Sequence, residues 1–342
     1  MHKKRFLFKS SKVNGIRKET WDLKSKEYAK LFDEVRKEIA KVIVGQDEVV
    51  NSMLRCLVAN GHALVEGVPG VAKTLLIRTL AKATGCDFKR IQFTIDLLPT
   101  DIIGITSYDP VKREFRTEKG PIFSNFILAD EINRSSPKTQ SALLESMQEK
   151  QVTINKVTYK VPLPFFVMAT MNPLESEGVY PLPEAQIDRF LFKLNMDLPT
   201  ADEEKKILKQ NITINSFESF DVKPVLNPKK IIEIQDFIKN IYLSPELEEY
   251  IIRLVGATRK SDKFKTGRYI AYGASPRASI GLFIAAKAQA LLKGNSFVTP
   301  QHIKDIVKPV LRHRILLNYE GQAENITTDQ IIEEILSKVP IP

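Results

Sequence analysis

The sequence is poor in cysteine and contains only short apolar runs. Among its 342 residues are two cysteines, Cys56 and Cys86, and neither stands in a Cys-x-x-Cys pattern. A disulfide-rich scaffold is therefore excluded, although a single bridge is compatible with the sequence. The low cysteine content favours a reduced, cytoplasmic protein. Since no apolar run is long enough to cross a bilayer, we expect no membrane insertion.

Histidine is scarce as well, with four residues spread over the chain. None has a histidine four positions away or a cysteine cluster beside it, so the sequence predicts no zinc site. The N-terminal segment is basic, but its apolar stretch is too short for a signal peptide and no small-residue cleavage site follows. We therefore expect a basic tail, frayed or docked on the surface, over residues 1–23.

A net charge of +10 raises the question of nucleic-acid binding. The lysines are scattered, however, and no basic stripe is interleaved with aromatic residues. Dispersed charge of this kind is typical of a solvated surface, so nucleic acid is disfavoured as a partner. Hydrophobic residues make up 43% of the chain. Together with the length, this is enough for a sizeable core in two or three domains.

The first half of the chain alternates short apolar strands with helical patterns, as a parallel α/β sheet requires. Runs such as ALV, FILA and FFVMA are apolar on both faces. A strand of this kind belongs in a sheet that helices cover on both sides. The predicted strands are 62–66, 88–93, 126–130, 165–170 and 190–196.

Two segments interrupt this alternation and a third region follows it. Residues 104–120 contain an Asp-Pro turn and residues 150–162 an Asn-Lys turn, each between alternating runs, so both are predicted to be β-hairpin insertions. After residues 201–226, which we interpret as a linker, the chain becomes helical. Several helical patterns in residues 227–342 open with Ser-Pro, Thr-Pro or Asn-Pro, which is typical of helix starts.

The stretch GVPGVAKT, residues 67–74, nearly matches a phosphate-binding loop, G-x-x-x-x-G-K-[ST]. Gly67 and Gly70 are expected to supply the unusual backbone angles of the loop. Ala72 stands in place of the second glycine of the pattern. We expect it at the helix start with a negative φ, where a Cβ is tolerated. The alternative is an ordinary glycine turn.

The context of this loop favours nucleotide binding, because it follows a predicted strand and precedes a helical pattern. Backbone amides would wrap the phosphates, and Lys73 would reach the β- and γ-phosphates. The hydroxyl of Thr74 would hold Mg²⁺. The predicted phosphate-loop contacts are Gly67, Val68, Pro69, Gly70, Val71, Ala72, Lys73, Thr74 and Leu75.

Polar residues also follow two later strands. Asp130 and Glu131 end an apolar strand, and an adjacent pair of carboxylates there is costly to bury unless it has a function. Beside a phosphate loop, Asp130 would coordinate Mg²⁺ and Glu131 would polarise the attacking water. Asn172 follows the next strand and could orient that water. The alternatives are a solvated acidic loop and a turn-forming asparagine before proline.

Two arginines complete the candidate set. Arg189 opens a strand after an acidic, helix-like stretch, where it could also be a surface residue or a partner of Asp188. Arg277 lies in the first turn of a predicted helix, and a cation there opposes the helix dipole. It should therefore meet an anion, for which a γ-phosphate would serve.

In this order, the motifs resemble those of an AAA+ ATPase. GVPGVAKT is similar to Walker A, ILADEINR to Walker B, ATMNP to sensor 1, IDRF to an arginine finger and GASPR to sensor 2. Further stretches, among them LLPTDIIG, GPIFSNFILADEINR and LPEAQIDRFLFK, resemble the MoxR family in particular. The resemblance covers roughly residues 24–336. The alanine at position 72 departs from the general Walker A pattern but looks usual for MoxR proteins.

The resemblance implies a P-loop AAA+ core with a five-stranded parallel sheet flanked by helices over residues 24–200. It also implies a C-terminal all-helical lid domain over residues 227–342. The hairpins would be the helix-2 insert and the pre-sensor-1 hairpin of that branch. IVGQDEVV resembles the box that packs beside the adenine, which adds Val44 and Gly45 to the nucleotide contacts.

Roles for the arginines follow from the same resemblance. Arg277 would act as sensor 2, and Arg189 would be the finger that completes the site of a neighbouring subunit. Arg134, after Walker B, is a second candidate for a contact in trans.

Proteins similar to MoxR are expected to hydrolyse ATP with Mg²⁺ and to form rings, expected to be hexameric. They are thought to act as chaperones that load metal or cofactor into partner proteins, often ones with a von Willebrand factor A domain. Two other readings stay open: a nucleotide-gated binding module with slow turnover, and a nucleic-acid translocase. A small-molecule kinase is more remote, because the helical lid and Arg189 have no role there.

Overall fold

The structure of the protein is a computed structural model, which describes residues 3–173, 179–210, 216–259 and 264–342, with side chains from Glu19 onward. It contains two compact units: residues 35–232, and residues 1–34 together with 233–342. None of the helices in the described part of the chain is both long enough and apolar enough to span a membrane.

The strands of the first unit form one central sheet and two hairpins, and the second unit adds a short pair. In chain order they are β1 (Ala63–Gly67), β2 (Phe88–Gln92), β3 (Gly104–Asp109), β4 (Glu114–Lys119), β5 (Phe126–Asp130), β6 (Gln151–Ile154), β7 (Val157–Lys160), β8 (Phe166–Met171), β9 (Phe192–Met196), β10 (Ile270–Tyr272) and β11 (Leu316–Leu317).

Helices surround the sheet and make up most of the second unit. They are α1 (Lys3–Ala40), α2 (Asp47–Val58), α3 (Lys73–Ala83), α4 (Pro99–Ile103), α5 (Pro137–Glu149), α6 (Glu184–Ile187), α7 (Ala201–Gln210), α8 (Pro228–Phe237), α9 (Pro245–Ala257), α10 (Pro276–Leu292), α11 (Pro300–Leu311), α12 (Tyr319–Ala323) and α13 (Thr328–Lys338).

The central sheet has the strand order β2-β5-β8-β1-β9, and all of its neighbouring strands are parallel. Every residue of β5 and nearly every residue of β8 is buried, as their apolar runs predict. The predicted five-stranded parallel sheet is therefore confirmed, with strand ends shifted by at most two residues. Because β8 lies between β5 and β1, the segments that follow these three strands emerge side by side at one edge.

The two segments predicted to be hairpins pair antiparallel, as β3 with β4 and β6 with β7. The second hairpin turns through Asn155 and Lys156, whose φ values of 44° and 68° are both left-handed, as a tight two-residue turn requires. The hairpins touch, since the Tyr159 hydroxyl donates to Oγ1 of Thr117 at 3.3 Å. The second hairpin thus packs against the first.

Capping explains where the helices of the second unit begin. The side chain of Ser275 accepts a hydrogen bond from the Arg277 amide before α10, and Thr299 caps α11 in the same way through the His302 amide. A proline occupies the first helical position in both cases. The sequence predicts that the C-terminal domain is all-helical, but β10 and β11 of this unit form an antiparallel pair. Their sequences are too short to show alternation.

Two segments differ from the sequence-based expectation. The basic residues 1–23 were expected to form a tail, but α1 runs from Lys3 through this stretch. Lysine and arginine are good helix formers and the stretch holds no proline, so its composition is compatible with a helix. Residues 201–226 were interpreted as a linker, yet they begin with α7. The domain boundaries predicted from sequence remain predictions.

His62, directly before β1, is a buried structural residue. Its Nδ1 accepts a hydrogen bond from the Val167 amide at 3.1 Å, and its Nε2 lies 3.3 Å from the Met147 carbonyl oxygen. These contacts suit a neutral imidazole that donates from one nitrogen and accepts at the other. Burial, the largest cause, lowers the pKa of His62 to about 4.

We expect acid to destabilise the fold through His62. The unfolded chain, with a histidine pKa of roughly 6.5, binds a proton before the folded chain does. The stabilisation is therefore fully present above about pH 6.5 and is lost as the pH falls toward 4, by on the order of 3 kcal/mol. Urea unfolding across this pH range measures the slope. His62→Gln, which keeps a donor and an acceptor, should flatten it; an equal slope in both proteins would contradict this role.

Candidate functional site

A cavity of about 570 Å³ opens in the unit 35–232, where the strands of the central sheet end. It brings together the loop after β1, the acidic pair after β5 and the amide after β8, as the sequence predicts. Of the nucleotide contacts predicted in this unit, Gly45, Gly67 and Val68 are not among its lining residues, and Arg277, predicted to meet the γ-phosphate, belongs to the second unit. The lining residues are Val42, Ile43, Val44, Gln46, Pro69, Gly70, Val71, Ala72, Lys73, Thr74, Leu75, Asp130, Glu131, Asn172, Pro199 and Ile207.

The loop backbone corrects the expectation for Ala72. Its φ is 65° and its ψ 28°, which is left-handed rather than the negative φ expected at a helix start. Ala72 directly precedes α3, so the chain turns through this residue before the helix begins. A left-handed alanine costs roughly 1–2 kcal/mol. Ala72 is exposed, so the left-handed backbone is the one cost that its methyl group adds.

We expect Ala72→Gly to raise the free energy of unfolding by roughly 0.5–1 kcal/mol, because glycine enters the left-handed region freely. Ala142→Gly, inside the right-handed helix α5, is the matched control and should lower it by about 1 kcal/mol. Urea unfolding of both variants checks the pair. Destabilisation at both positions would contradict the left-handed conformation of Ala72.

The glycines around the loop serve different purposes. Gly70 has a φ of 85° and supplies an unusual angle, as predicted. Gly67 does not: a Cβ there would lie 2.8 Å from the Met196 carbonyl oxygen, so this glycine permits close approach of β9. Gly45 has a φ of 67°, and a Cβ on it would collide with the Glu203 carboxylate. Gly45 and Gly67 therefore allow close packing of neighbouring residues, although neither lines the cavity itself.

Lys73 turns back onto the loop that carries it. Its Nζ donates to the Gly67 carbonyl oxygen at 2.6 Å. An ammonium group has three donors, and this contact fixes its direction. Thr74 follows Lys73 and also lines the cavity. The predicted phosphate-binding cation and the predicted metal-binding hydroxyl thus reach the same space.

Asp130 is buried at the end of β5 and has partners on both carboxylate oxygens. Oδ1 accepts from the hydroxyl of Thr170 at 2.6 Å. Oδ2 accepts from Nε and Nη2 of Arg90 at 3.0 and 2.7 Å. Three charge-assisted hydrogen bonds make this buried carboxylate tolerable.

Glu131 follows in a left-handed conformation, with a φ of 58°. Its amide donates to Oγ1 of Thr170 at 2.9 Å. Its Oε2 accepts from Nε2 of Gln92 and from Nη1 of Arg134, both at 2.8 Å. The predicted catalytic carboxylate is therefore held by two donors, and Arg134 contacts Glu131 of its own chain.

The cavity fits a nucleotide with its magnesium ion. Val42, Ile43 and Ile207 supply the apolar lining that a base ring needs, and the loop of residues 69–75 supplies amides for phosphates. A divalent ion carried by phosphates needs only one or two protein oxygens, which Thr74 and Asp130 can provide. No dedicated cluster of metal-ligating side chains occurs in the described part of the chain.

Sequence reasoning missed several residues of the site. Arg90 and Thr170 lie on strands next to Asp130, and only the strand order brings them there. Gln46 has a φ of 58°, and its side chain donates to the Asp197 carbonyl oxygen at 2.8 Å. It stands directly after the predicted contacts in IVGQDEVV, and that position was a usable signal. The other residues that were missed are Val42, Ile43, Pro199 and Ile207.

Arg189 lies apart from the walls of this cavity. Its Nη1 donates to the Leu144 carbonyl oxygen of α5 at 2.9 Å. Its Nε is buried and has no partner among the described residues. The side chain borders a separate cavity of about 260 Å³, which Glu145 and Glu149 also line. Within one chain, Arg189 is therefore not brought to the phosphate loop.

Arg277 belongs to the second unit and lies in the first turn of α10. Its side chain is exposed, and its amide donates to Oγ of Ser275 at 3.2 Å. Arg277 thus lies at a helix N-terminus, and its contact with a γ-phosphate stays a prediction.

Two family models match the chain. The model of the ATPase family associated with various cellular activities (AAA) matches residues 62–192, and the AAA lid domain matches residues 265–335. A solved structure from Cytophaga hutchinsonii, described as a candidate ATPase, has a TM-score of 0.87 and 47% sequence identity, and covers 95% of this chain and 98% of that one. The fold is thus an AAA core with an AAA lid domain.

Two curated relatives align with this chain over most of its length and most of their own. Chaperone MoxR1 of Mycobacterium tuberculosis is 46% identical over 309 residues, which are 89% of this chain and 81% of the relative. Protein MoxR of Methylorubrum extorquens is 30% identical over 324 residues, 90% of this chain and 94% of the relative. With these matches and the assembled motifs, the chain belongs to the MoxR family of AAA+ ATPases.

Proposed function

We propose that the cavity binds ATP with Mg²⁺ and hydrolyses it to ADP and phosphate. The observation that carries this is the convergence of the 69–75 loop, the acidic pair and Asn172 on one cavity. The loop amides and Lys73 hold the phosphates. Thr74 and Asp130 would hold the metal ion, which would neutralise phosphate charge.

The proposed chemistry is the attack of water on the γ-phosphorus. Glu131 accepts a proton from the water as its oxygen bonds to phosphorus, and the bond to the bridging oxygen of ADP breaks. Asn172 would orient the water by hydrogen bonding. Arg277 and the Arg189 of a neighbouring subunit would stabilise the charge that develops on the γ-phosphoryl group.

The resting contacts of the site favour a second candidate function. Glu131 accepts hydrogen bonds from Gln92 and Arg134, and Lys73 is bonded to its own loop. These contacts must be exchanged before catalysis, which suits a module whose nucleotide state controls docking while turnover stays slow. Glu131→Gln separates the two functions, since it would leave partner activity intact only in the gated module.

At the cellular level, we propose a cytoplasmic chaperone that works as an oligomeric ring, a hexamer in the simplest case. The support is the resemblance to Chaperone MoxR1 and the position of Arg189 away from its own cavity. The proposed clients are proteins that need metal or cofactor loading, including proteins with von Willebrand factor A domains. Nucleic acid remains a disfavoured partner.

The test is ATPase rate against protein concentration, with molecular mass followed by light scattering, with and without ATP and Mg²⁺. A rate per subunit that rises as the protein assembles is expected, because a trans arginine needs a neighbour. A flat rate from a monomer would overturn the shared site and favour the gated module. A rate that depends on added DNA or RNA would favour a translocase.

A further inference from the structure

The second unit contains a cleft of its own, formed by α9 and the end of α13. Its volume is about 420 Å³. Arg253 and Gly256 of α9 line it, together with Lys338, the last residue of α13, and Val339 and Pro340 after that helix. All of these residues lie within residues 233–342. The cleft therefore shares no residue with the nucleotide cavity.

The uncharged lining of the cleft is largely apolar, and apolar surface continues beyond it. Phe264 belongs to the lining. Ile252 is 62% exposed and stands four residues before Gly256, so it lies on the same stripe of α9. Ile341, directly after Pro340, is 48% exposed. Exposed apolar surface that continues from a cleft in this way is typical of a site of protein interaction.

Gly256 keeps the cleft open. A glycine inside a helix lowers helix stability, so its presence needs a reason. Its φ is not left-handed, and a Cβ built on it would have no neighbouring atom within 4 Å. Within the described part of the chain, neither the backbone angle nor close packing thus requires a glycine here. Any side chain at this position would occupy the space that the glycine leaves.

The charged residues of the lining are Arg253 and Lys338, and both are cations. Nη2 of Arg253 donates to the Pro340 carbonyl oxygen at 3.2 Å. Its Nη1 lies 3.9 Å from Oε2 of Glu249, which is too far for a hydrogen bond. Because a guanidinium group has five donors, Arg253 can bind a carboxylate in addition to this carbonyl.

Lys338 contacts Glu334, whose carboxylate is fully engaged. Oε1 of Glu334 accepts from Nζ of Lys338 at 2.6 Å and from the Lys265 amide at 2.9 Å. Oε2 accepts from the amide and the hydroxyl of Thr266. These four bonds fill the acceptor positions of a carboxylate. Glu334 therefore has no position left for Arg253, and the ammonium group of Lys338 keeps donors for a ligand.

We propose that this cleft binds an extended segment of a partner protein in which an apolar side chain stands next to a carboxylate. The apolar side chain enters the space beside Gly256, and the carboxylate bonds to Arg253 and Lys338. Charge complementarity selects this occupant, because a second copy of the same surface would bring cations against cations. That the occupant is a protein rests on the proposed chaperone function.

The test uses a fluorescein-labelled peptide in which aspartate alternates with leucine and phenylalanine, and fluorescence anisotropy gives its affinity in the absence of nucleotide. We expect Arg253→Met and Lys338→Met each to weaken binding about threefold or more, because each removes one partner of the carboxylate. Gly256→Leu should weaken it about tenfold or more, because the leucine side chain fills the cleft.

The controls separate binding from folding. Leucine is a better helix former than glycine and has room at position 256, so the urea midpoint of Gly256→Leu should stay the same or rise. Weaker binding by a protein of equal or greater stability cannot come from unfolding. Lys239→Met removes an exposed cation of the same unit, and Gln301→Leu adds an exposed leucine to α11. Neither residue lines the cleft, and both variants should bind the peptide normally.

Several results would overturn the proposal. One is an unchanged affinity in Arg253→Met, Lys338→Met and Gly256→Leu, and another is the absence of peptide binding by the natural protein. Equal binding of a peptide with lysine for aspartate, or with serine for the apolar residues, would refute the proposed ligand chemistry. Tighter binding of phenylacetate would assign the cleft to small carboxylates. A lower molecular mass of Gly256→Leu in light scattering would assign it to a second copy.

ATP turnover of the natural protein distinguishes this inference from the function beneath it. Peptide binding without any turnover would refute the proposed ATPase function and leave the ligand chemistry of the cleft standing. Turnover without peptide binding would overturn the inference alone.

Discussion

Replacing Glu131 with glutamine is expected to reduce ATP turnover at least about a hundredfold while ATP still binds. The amide cannot accept the proton of the attacking water. It keeps nearly the same shape, so the phosphate loop and Thr74 should hold nucleotide as before. Phosphate release gives the turnover, and the fluorescence of an N-methylanthraniloyl nucleotide gives the affinity.

The control for this variant is Glu118→Gln, an exposed carboxylate on β4. It loses the same charge on a hairpin strand that does not line the cavity, and it should leave turnover unchanged. A Glu131→Gln protein that keeps turnover within a factor of about three would remove Glu131 from the role of general base. A parallel loss of affinity would point to a collapsed site.

Replacing Arg189 with alanine is expected to leave ATP binding intact and to reduce turnover by about a thousandfold or more. The side chain contacts α5 of its own chain and borders a separate cavity. Its removal therefore changes nothing in the phosphate cavity of the same chain. A finger supplied by a neighbour contributes only as charge develops on the transferred phosphoryl group. Turnover and nucleotide affinity are measured at a protein concentration at which the protein is assembled. The prediction requires that turnover falls while the affinity stays the same.

A mixing experiment decides whether Arg189 acts between subunits. Arg189→Ala subunits keep their own nucleotide sites, and Lys73→Ala subunits keep the arginine. If the arginine works in trans, mixing two inactive proteins should restore part of the activity. Arg116→Ala, an exposed arginine on β4, is the charge control. Unchanged turnover in Arg189→Ala would end its candidacy, and loss without rescue would indicate an action within one chain.

The residues that the sequence located are those whose signal is local. Asp130, Glu131 and Asn172 each follow an apolar strand directly, and parallel strands end at one edge of a sheet. The order of motifs along the chain was therefore enough to place these side chains together before the strand order was known. The central sheet was predictable for the same reason, because its strands are nearly continuous apolar runs.

Other features of the site were not predicted from the sequence, and two of them depend on neighbours far along the chain. Arg90 meets Asp130 only because β2 borders β5, and nothing within the local sequence fixes that order. Gly67 is needed because β9 passes behind it. The left-handed φ of Ala72 also escaped, because an alanine before a lysine and an apolar helix suggests an ordinary helical start. Long-range packing decided the first two cases, and the turn directly before α3 decided the third.

Thr170 shows how narrowly such a site constrains natural variation. Its hydroxyl accepts the Glu131 amide proton and has one proton of its own, which goes to Asp130. The Thr170 hydroxyl thus accepts a hydrogen bond from one neighbour and donates one to the other, and these two roles cannot be exchanged. Serine preserves that polarity. Valine, which matches threonine in volume, would leave the Glu131 amide and a buried carboxylate oxygen of Asp130 without this partner. A substitution that is conservative in shape is therefore among the least tolerable here.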